Sequence, residues 1–227
     1  MKYKIFNISL VVIFQFLFIT LSAQNYNKMF FVFLNTNPDR ETLDADKAEK
    51  LQAAHLANID SLYETGDLLA AGPFTDKGGF FILNAATDAQ AKKIFNTDPA
   101  ILANRFIIES FLFKIDAGGI CKYKKPAEMK EYAFVRWYQK QNEEIDVVKY
   151  NKLLDKQADF FSEIHLRDSL HLAGNFSALH EGIMLFDLTS EEEIKLIVES
   201  SPMHNSGKFD YKLKRLWVAE GTFCRKD

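Results

Sequence analysis

Apolar and polar positions along the chain follow the same succession twice. Strand-like runs rich in Phe, Val and Trp occupy residues 29–35 and 132–138. After each run comes a segment with apolar residues at helical spacing, then two strand-like runs, a second helical segment and a last strand-like run. The pattern therefore predicts the order strand, helix, strand, strand, helix, strand in both halves of the chain.

A nearly constant displacement relates the two halves. The segment LAAGPF at residues 69–74 matches HLAGNF at residues 171–176, and the pairs Gly79 with Gly182 and Pro99 with Pro202 continue the match. Two copies of one repeated unit explain the nearly constant displacement better than chance similarity does. We predict units at residues 28–116 and 131–221, joined by a Gly- and Lys-rich linker at residues 117–130.

The element order is that of the ferredoxin-like βαββαβ unit, which places two helices on one face of an antiparallel sheet. Residues 30–33, 80–83 and 107–113 are too continuously apolar to leave the other face in water. We therefore predict an α+β fold in which the sheets of the two units pack on each other as a pseudo-dimeric barrel. Because the fused copies supply this contact themselves, we expect a monomer.

The amino terminus has the layout of a secretory signal peptide. Lys2 and Lys4 precede an apolar run at residues 10–21, and Ser22 and Ala23 are small residues at a plausible cleavage point. We predict a signal peptide at residues 1–23, a periplasmic or secreted protein, and no stable membrane insertion after cleavage. An uncleaved anchor is the alternative.

Composition narrows the class of protein. Hydrophobic residues make up 48% and charged residues 26% of the chain, which excludes a disordered tail, a collagen-like chain and a polytopic membrane protein. The net charge is -3, and removing Lys2 and Lys4 makes it more negative. We therefore expect no nucleic acid among the partners.

Several segments resemble the YCII-related family of small bacterial proteins. These are AHLA at residues 54–57, GDLLAAGPF at residues 66–74, the pair Gly78 and Gly79, and TDP at residues 97–99. The resemblance covers residues 28–115 and implies a ferredoxin-like fold, assembly into an α+β barrel, and a histidine and aspartate pair in a cleft. By the same resemblance the second copy is degenerate, because the family's His55, Asp98 and Pro73 are replaced by Gln157, Ser201 and Asn175.

His55 stands out even without the family. It falls on the apolar stripe that the first helix turns toward the sheet, where a polar group needs a partner or a wet cavity. Either it is a core histidine bonded to a backbone carbonyl, or its imidazole serves as a general base or acid. Asp98 is the predicted partner, because the first helix starts and the second helix ends at the same edge of the sheet. The alternative for Asp98 is a turn residue before Pro99.

We predict a small-molecule enzyme that uses His55 and Asp98 for proton transfer, in a hydrolysis or an elimination. The alternative is a non-catalytic module that binds a small ligand or has a structural role. Gly72 and Pro73 are candidate substrate-binding residues, with a simple turn as the other interpretation. The remaining histidines occur singly, without the spacing of a metal site, so we expect neither a metal nor a cofactor.

Cys121 and Cys224 are the only cysteines and occupy equivalent places after the last strand of each copy. Export makes a disulfide reasonable. Equivalent residues of a pseudo-twofold pair, however, approach within the required Cα separation of about 4.4–6.8 Å only beside the axis. We therefore favour two separate thiols and keep the bridge as the alternative.

Overall fold

The computed structural model describes residues 28–167, 170–177, 179–187 and 190–224. The signal peptide predicted at residues 1–23 lies outside these ranges, so export stays a prediction. None of the helices within the described ranges is long and apolar enough to cross a membrane.

The first half of the chain forms one sheet-and-helix unit. Its elements are β1 (Met29–Thr36), α1 (Ala45–Thr65), β2 (Leu68–Pro73), β3 (Gly79–Asn84), α2 (Asp88–Phe95), α3 (Pro99–Leu102) and β4 (Phe106–Ile120). The predicted succession of strands and helices is present, with one addition. A single helical turn, α3, follows α2 where the sequence suggested only a turn at Pro99.

The second half repeats this succession. Its elements are β5 (Met129–Gln139), α4 (Val147–Arg167), β6 (Leu170–Phe176), β7 (Glu181–Asp187), α5 (Glu191–Glu199), α6 (Pro202–Asn205) and β8 (Phe209–Ala219), followed by the short β9 (Phe223–Cys224). The second helix of each half begins at a hydroxyl cap, where Thr87 accepts from the Gln90 N–H and Ser190 accepts from the Glu193 N–H.

All strand pairs are antiparallel, and the strand order is β2-β3-β1-β4-β6-β7-β5-β8, with β9 paired to β4. The predicted α+β class is therefore confirmed. The two halves are joined edge to edge by the pairing of β4 with β6, and a bridge between Phe74 and Leu216 connects the ends of the order. The sheet thus closes on itself, which leaves fewer unpaired edges than two stacked sheets would.

Both faces of the sheet are apolar, as the continuous runs predicted. Along β1, Phe31 and Phe33 point into the barrel, where Phe31 lies 6.0 Å from Phe134 of the other half, measured between ring centroids. Phe30 and Val32 point outward beneath the helices. Burial on both faces explains why the strand does not alternate between apolar and polar residues.

The connection between the halves is shorter than predicted. Residues 117–130 were predicted as a linker, but β4 continues to Ile120 and β5 begins at Met129. Gly118 permits this, because its φ of 75° is unfavourable for other residues, and a Cβ there would lie 1.9 Å from the carbonyl oxygen of His171. The glycine that indicated a loop instead lets β4 pass close to β6.

Cys121 and Cys224 form a disulfide, so the expectation of two separate thiols is wrong. Their Cα atoms are 5.9 Å apart. Gly119 pairs with Cys224, and the Cys121 N–H donates to the carbonyl of Thr222, so the two tails run side by side. The equivalent cysteines therefore meet where the two halves adjoin, which sequence separation could not reveal.

Candidate active site

The first helix presents His55 to the outer face of the first half's sheet. Asp44 caps α1 by accepting from the Lys47 N–H at 2.9 Å, and Gly66 ends the helix in a left-handed conformation. Between these caps, the imidazole of His55 lies over Phe81 and Phe106, with ring centroids 6.2 Å away in each case. The ring is thus seated on an apolar surface and keeps 12% of its side chain exposed.

Asp98 lies beneath His55 and is fully buried. Its Oδ1 caps α3 by accepting from the N–H groups of Ala100 at 2.8 Å and Ile101 at 3.3 Å. Its Oδ2 lies 2.7 Å from His55 Nδ1. Oδ1 therefore caps a helix and Oδ2 contacts His55, so both oxygens of this buried carboxylate have hydrogen-bond partners.

This arrangement orients the imidazole. A carboxylate accepts hydrogen bonds, so the contact assigns the proton of a neutral His55 to Nδ1 and leaves Nε2 as the acceptor. One turn along α1, Asn58 donates to the hydroxyl of Thr97 at 3.0 Å, which adds a second link between the helix and the segment that carries Asp98. A neutral imidazole in this state carries no proton on Nε2, so it has the chemistry to accept one there, and Asp98 can stabilise the resulting imidazolium.

The equivalent place in the second half has no such pair. Gln157 and Ser201 stand where His55 and Asp98 do, and both are buried. The Oε1 of Gln157 accepts from the Met203 N–H at 3.0 Å, and Ser201 caps α6 by accepting from the His204 N–H. The helix-to-helix link survives there without an ionisable group.

Gly72 and Pro73 lie at the end of β2, where that strand approaches β8. A Cβ on Gly72 would lie 2.0 Å from the carbonyl oxygen of Trp217, and one on Gly174 would lie 2.2 Å from that of Lys114. Close approach of the strands therefore accounts for glycine at both equivalent places. A role for Gly72 and Pro73 in substrate binding stays a prediction.

A second histidine and aspartate pair was missed by sequence reasoning. His171 Nε2 lies 2.9 Å from Asp187 Oδ1, and Lys130 Nζ lies 2.6 Å from the same oxygen. Burial acts to raise the pKa of Asp187, but Lys130 and His171 outweigh it and hold that pKa below its usual range. His171 lies near the start of β6 and Asp187 ends β7, so antiparallel pairing of these strands was the signal that could have indicated the contact.

Metal ligands are not grouped in this part of the molecule. Within the described ranges, no three or more His, Cys, Asp or Glu side chains are placed to hold a metal ion. His165 is one of the histidines without metal-site spacing, and its Nδ1 lies 2.8 Å from the backbone carbonyl oxygen of Leu170, within hydrogen-bond distance. His180 Nδ1 contacts the side-chain oxygen of Gln139.

Comparisons with known proteins concern the family and the fold. The sequence profile of the YCII-related domain family matches residues 29–110, which confirms the predicted resemblance for the first half. No curated protein matches the chain significantly. The solved structure of a candidate monooxygenase from Fusobacterium nucleatum subsp. nucleatum is similar with a TM-score of 0.54 and 10% identity, covering 89% of this chain and 99% of that chain.

Two further solved structures are similar at lower scores. A candidate monooxygenase from Lactobacillus acidophilus NCFM has a TM-score of 0.47 and 11% identity, covering 88% of this chain and 99% of that chain. A dye-decolorizing protein from V. cholerae has a TM-score of 0.43 and 10% identity, covering 86% of this chain and 95% of that chain. At such identities the similarities say nothing about activity.

Proposed function

Because residues 29–110 form a YCII-related domain, we propose that the protein is an enzyme for a small molecule, with His55 as its general base and acid and Asp98 as the residue that positions it. The reaction class is hydrolysis or elimination. One observation carries the proposal: Asp98 is fully buried, yet its Oδ2 is committed to His55 Nδ1 at 2.7 Å.

The chemistry follows from the assigned proton positions. In a hydrolysis, Nε2 of His55 takes a proton from water as the oxygen attacks an acyl carbon, and the imidazolium returns that proton to the leaving group. In an elimination, Nε2 takes the proton from carbon, the new double bond forms as the leaving group departs, and His55 protonates the departing group. Asp98 stabilises the imidazolium in both cases without itself gaining a proton.

A non-catalytic role is the second candidate, and the second half supplies the observation that favours it. There, Gln157 makes a helix-to-helix hydrogen bond with the Met203 N–H and has no ionisable partner. By analogy, His55 and Asp98 would only fasten α1 to α3. In that case the barrel would hold a ligand or serve as a structural module.

His55→Gln separates the candidates, because glutamine is the residue that occupies the equivalent position of the second half. Its amide can donate to Asp98 but cannot transfer a proton at neutral pH. We expect turnover of one member of a panel of small esters, lactones and β-substituted carbonyl compounds to fall by about 100-fold or more, with little change in melting temperature. Gln157→Ala is the matched control and should leave turnover intact.

The opposite result is equally clear. If no panel member is turned over by the native protein, and His55→Gln and His55→Ala alter only the melting temperature, the structural role is correct. Equal loss of turnover from His55→Gln and Gln157→Ala would contradict a single site in the first half.

We also propose that the two halves are ferredoxin-like copies of one unit, fused as an internal pseudo-dimer. Support comes from contacts at equivalent places: Phe74 bridges Leu216 on one side, and Phe113 pairs with Phe176 on the other. Such a chain is a monomer, and its mass in solution, measured by light scattering during size-exclusion chromatography, should be that of one chain. A dimeric mass would contradict the proposal.

Export to the periplasm or the exterior is proposed on two grounds. The amino-terminal sequence has the layout of a signal peptide, and the disulfide between Cys121 and Cys224 is typical of oxidising compartments. Cell fractionation and amino-terminal sequencing test this. We expect a mature chain that begins near Gln24, and recovery of the full chain from the cytoplasm would contradict export.

A further inference from the structure

A cavity of about 790 Å³ lies between the end of α4 and β4, in a place that the proposed chemistry does not use. Residues 112–118 of β4 form one wall, and Ser162, His165 and Leu166 form the other. This volume is within the range of about 300–1,000 Å³ that small-molecule sites occupy. The walls are mainly aliphatic and aromatic, with Leu112, Phe113 and Ile115 among the contributors.

The corresponding turns of α1 are covered by the chain itself. Ser162 and His165 precede the end of α4 by the same number of residues as Asp60 and Tyr63 precede the end of α1. Tyr123 of the connecting segment stacks on Tyr63 with ring centroids 4.3 Å apart. Lys125, two residues on, pairs with the acids of α1 at positions 60 and 64. An aromatic ring next to a charged group therefore fills this place in the first half.

In the first half the helix carries the acids Asp60 and Glu64 at this place, whereas Lys28 and Lys114 border the cavity in the second half. The side chain of Asp116 is 7% exposed, and its carboxylate already accepts from Lys114 Nζ at 3.2 Å and from Asn175 Nδ2 at 2.6 Å. Lys28 and Lys114 are exposed and border the cavity, and an ammonium group has three donors, of which Asp116 uses one from Lys114. Two positive charges and one negative charge border the cavity, so its net charge favours an anionic group.

We propose that this cavity is a binding site for a small apolar carboxylate, with its rings or chain against β4 and its carboxylate toward Lys28 and Lys114. The site is separate from His55 and does not depend on the proposed acid–base chemistry. In the first half a flat ring, that of Tyr123, stacks on the ring of Tyr63, and His165 supplies the ring at the equivalent position of α4. The contacts of the Asp116 carboxylate with Lys114 and Asn175 fix the polar end of the cavity.

Isothermal titration calorimetry of the purified protein with 2-naphthoate and with the neutral 2-naphthamide tests both the binding of an apolar ring and the preference for a carboxylate. We expect the carboxylate to bind about fivefold more tightly, because an exposed charge pair contributes up to about a factor of five in affinity. The double variant Lys28→Gln, Lys114→Gln should bring the affinity for the carboxylate down to that of the amide.

Ser162→Trp should fill the cavity and abolish saturable binding of both probes. Asp60→Trp is the matched control, because it places the same side chain at the same exposed position of α1, and it should leave both affinities unchanged. Melting temperatures verify that each variant is folded. Equal affinity of the two probes, unchanged binding by Ser162→Trp, or no binding of either probe to the native protein would each overturn the proposal.

Discussion

Asp98→Asn distinguishes the two tasks of Asp98 more sharply than any other single substitution. Asparagine caps helices about as well as aspartate, so its Oδ1 can still accept from the Ala100 and Ile101 N–H groups. The atom facing His55 Nδ1 then becomes an NH₂ group. Two donors cannot face each other, so the imidazole proton moves to Nε2, and the nitrogen that should accept a proton is occupied.

The magnitudes follow from these contacts. A hydrogen bond to a charged group contributes about 1.5–3 kcal/mol and a neutral one about 0.5–1.5 kcal/mol, so Asp98→Asn should lower the free energy of unfolding by about 1–1.5 kcal/mol. Asp98→Ala also loses the helix cap, worth about 0.5–2 kcal/mol, and should cost about 2–5 kcal/mol in total. Turnover should fall about 100- to 10,000-fold in both variants.

Urea unfolding measures the two stability losses, and ¹⁵N NMR of the histidine ring nitrogens identifies which nitrogen carries the proton. We expect the proton on Nδ1 in the native protein and on Nε2 in Asp98→Asn. Equal destabilisation by asparagine and alanine would refute the separate capping role. A native His55 that carries its proton on Nε2 would refute the assigned hydrogen bond.

Three further predictions concern stability. Replacing Cys121 and Cys224 by serine should lower the free energy of unfolding by up to about 4.7 kcal/mol, measured in urea, because the bridge closes a loop of roughly 100 residues; intact protein should show no alkylated thiol before reduction. Gly72→Ala should cost more than Gly66→Ala, since its Cβ would lie 2.0 Å from a carbonyl oxygen of β8, whereas a Cβ at Gly66 meets nothing within 4 Å and is opposed only by the left-handed φ of 80°; comparable melting temperatures would contradict this. Burial raises the pKa of Tyr150 to about 12, above the unfolded value of about 10. The stability that the neutral phenol contributes is therefore complete below about pH 10 and is lost as the pH rises toward about 12. Tyr150→Phe should remove that part of the pH dependence of unfolding, measured at alkaline pH.

Short-range patterns accounted for most of the elements. Strand and helix order followed from apolar spacing, because that spacing depends on neighbours within a few residues. The pairing of His55 with Asp98 was also within reach. A polar residue on an apolar stripe requires a partner, and the topology brings the end of the second helix beside the first.

The two interpretations of Asp98 turned out to be compatible. The sequence predicts either a partner of His55 or a turn residue before Pro99, and in the structure Oδ2 has the first role and Oδ1 the second. A carboxylate has two oxygens, and nothing in the spacing of residues shows how they are divided.

Local periodicity and contiguous motifs encode the α+β class, the order of elements in each half and the match of residues 29–110 to the YCII-related family, so these could be predicted from the chain alone. Four features depend on three-dimensional packing: how the strand edges join, where the connection begins, the contact of Cys121 with Cys224, and that of His171 with Asp187. Those contacts join residues far apart in the chain. Their distances depend on the register of paired strands and on close approach at glycines such as Gly118, and both are set by the packing of the whole barrel.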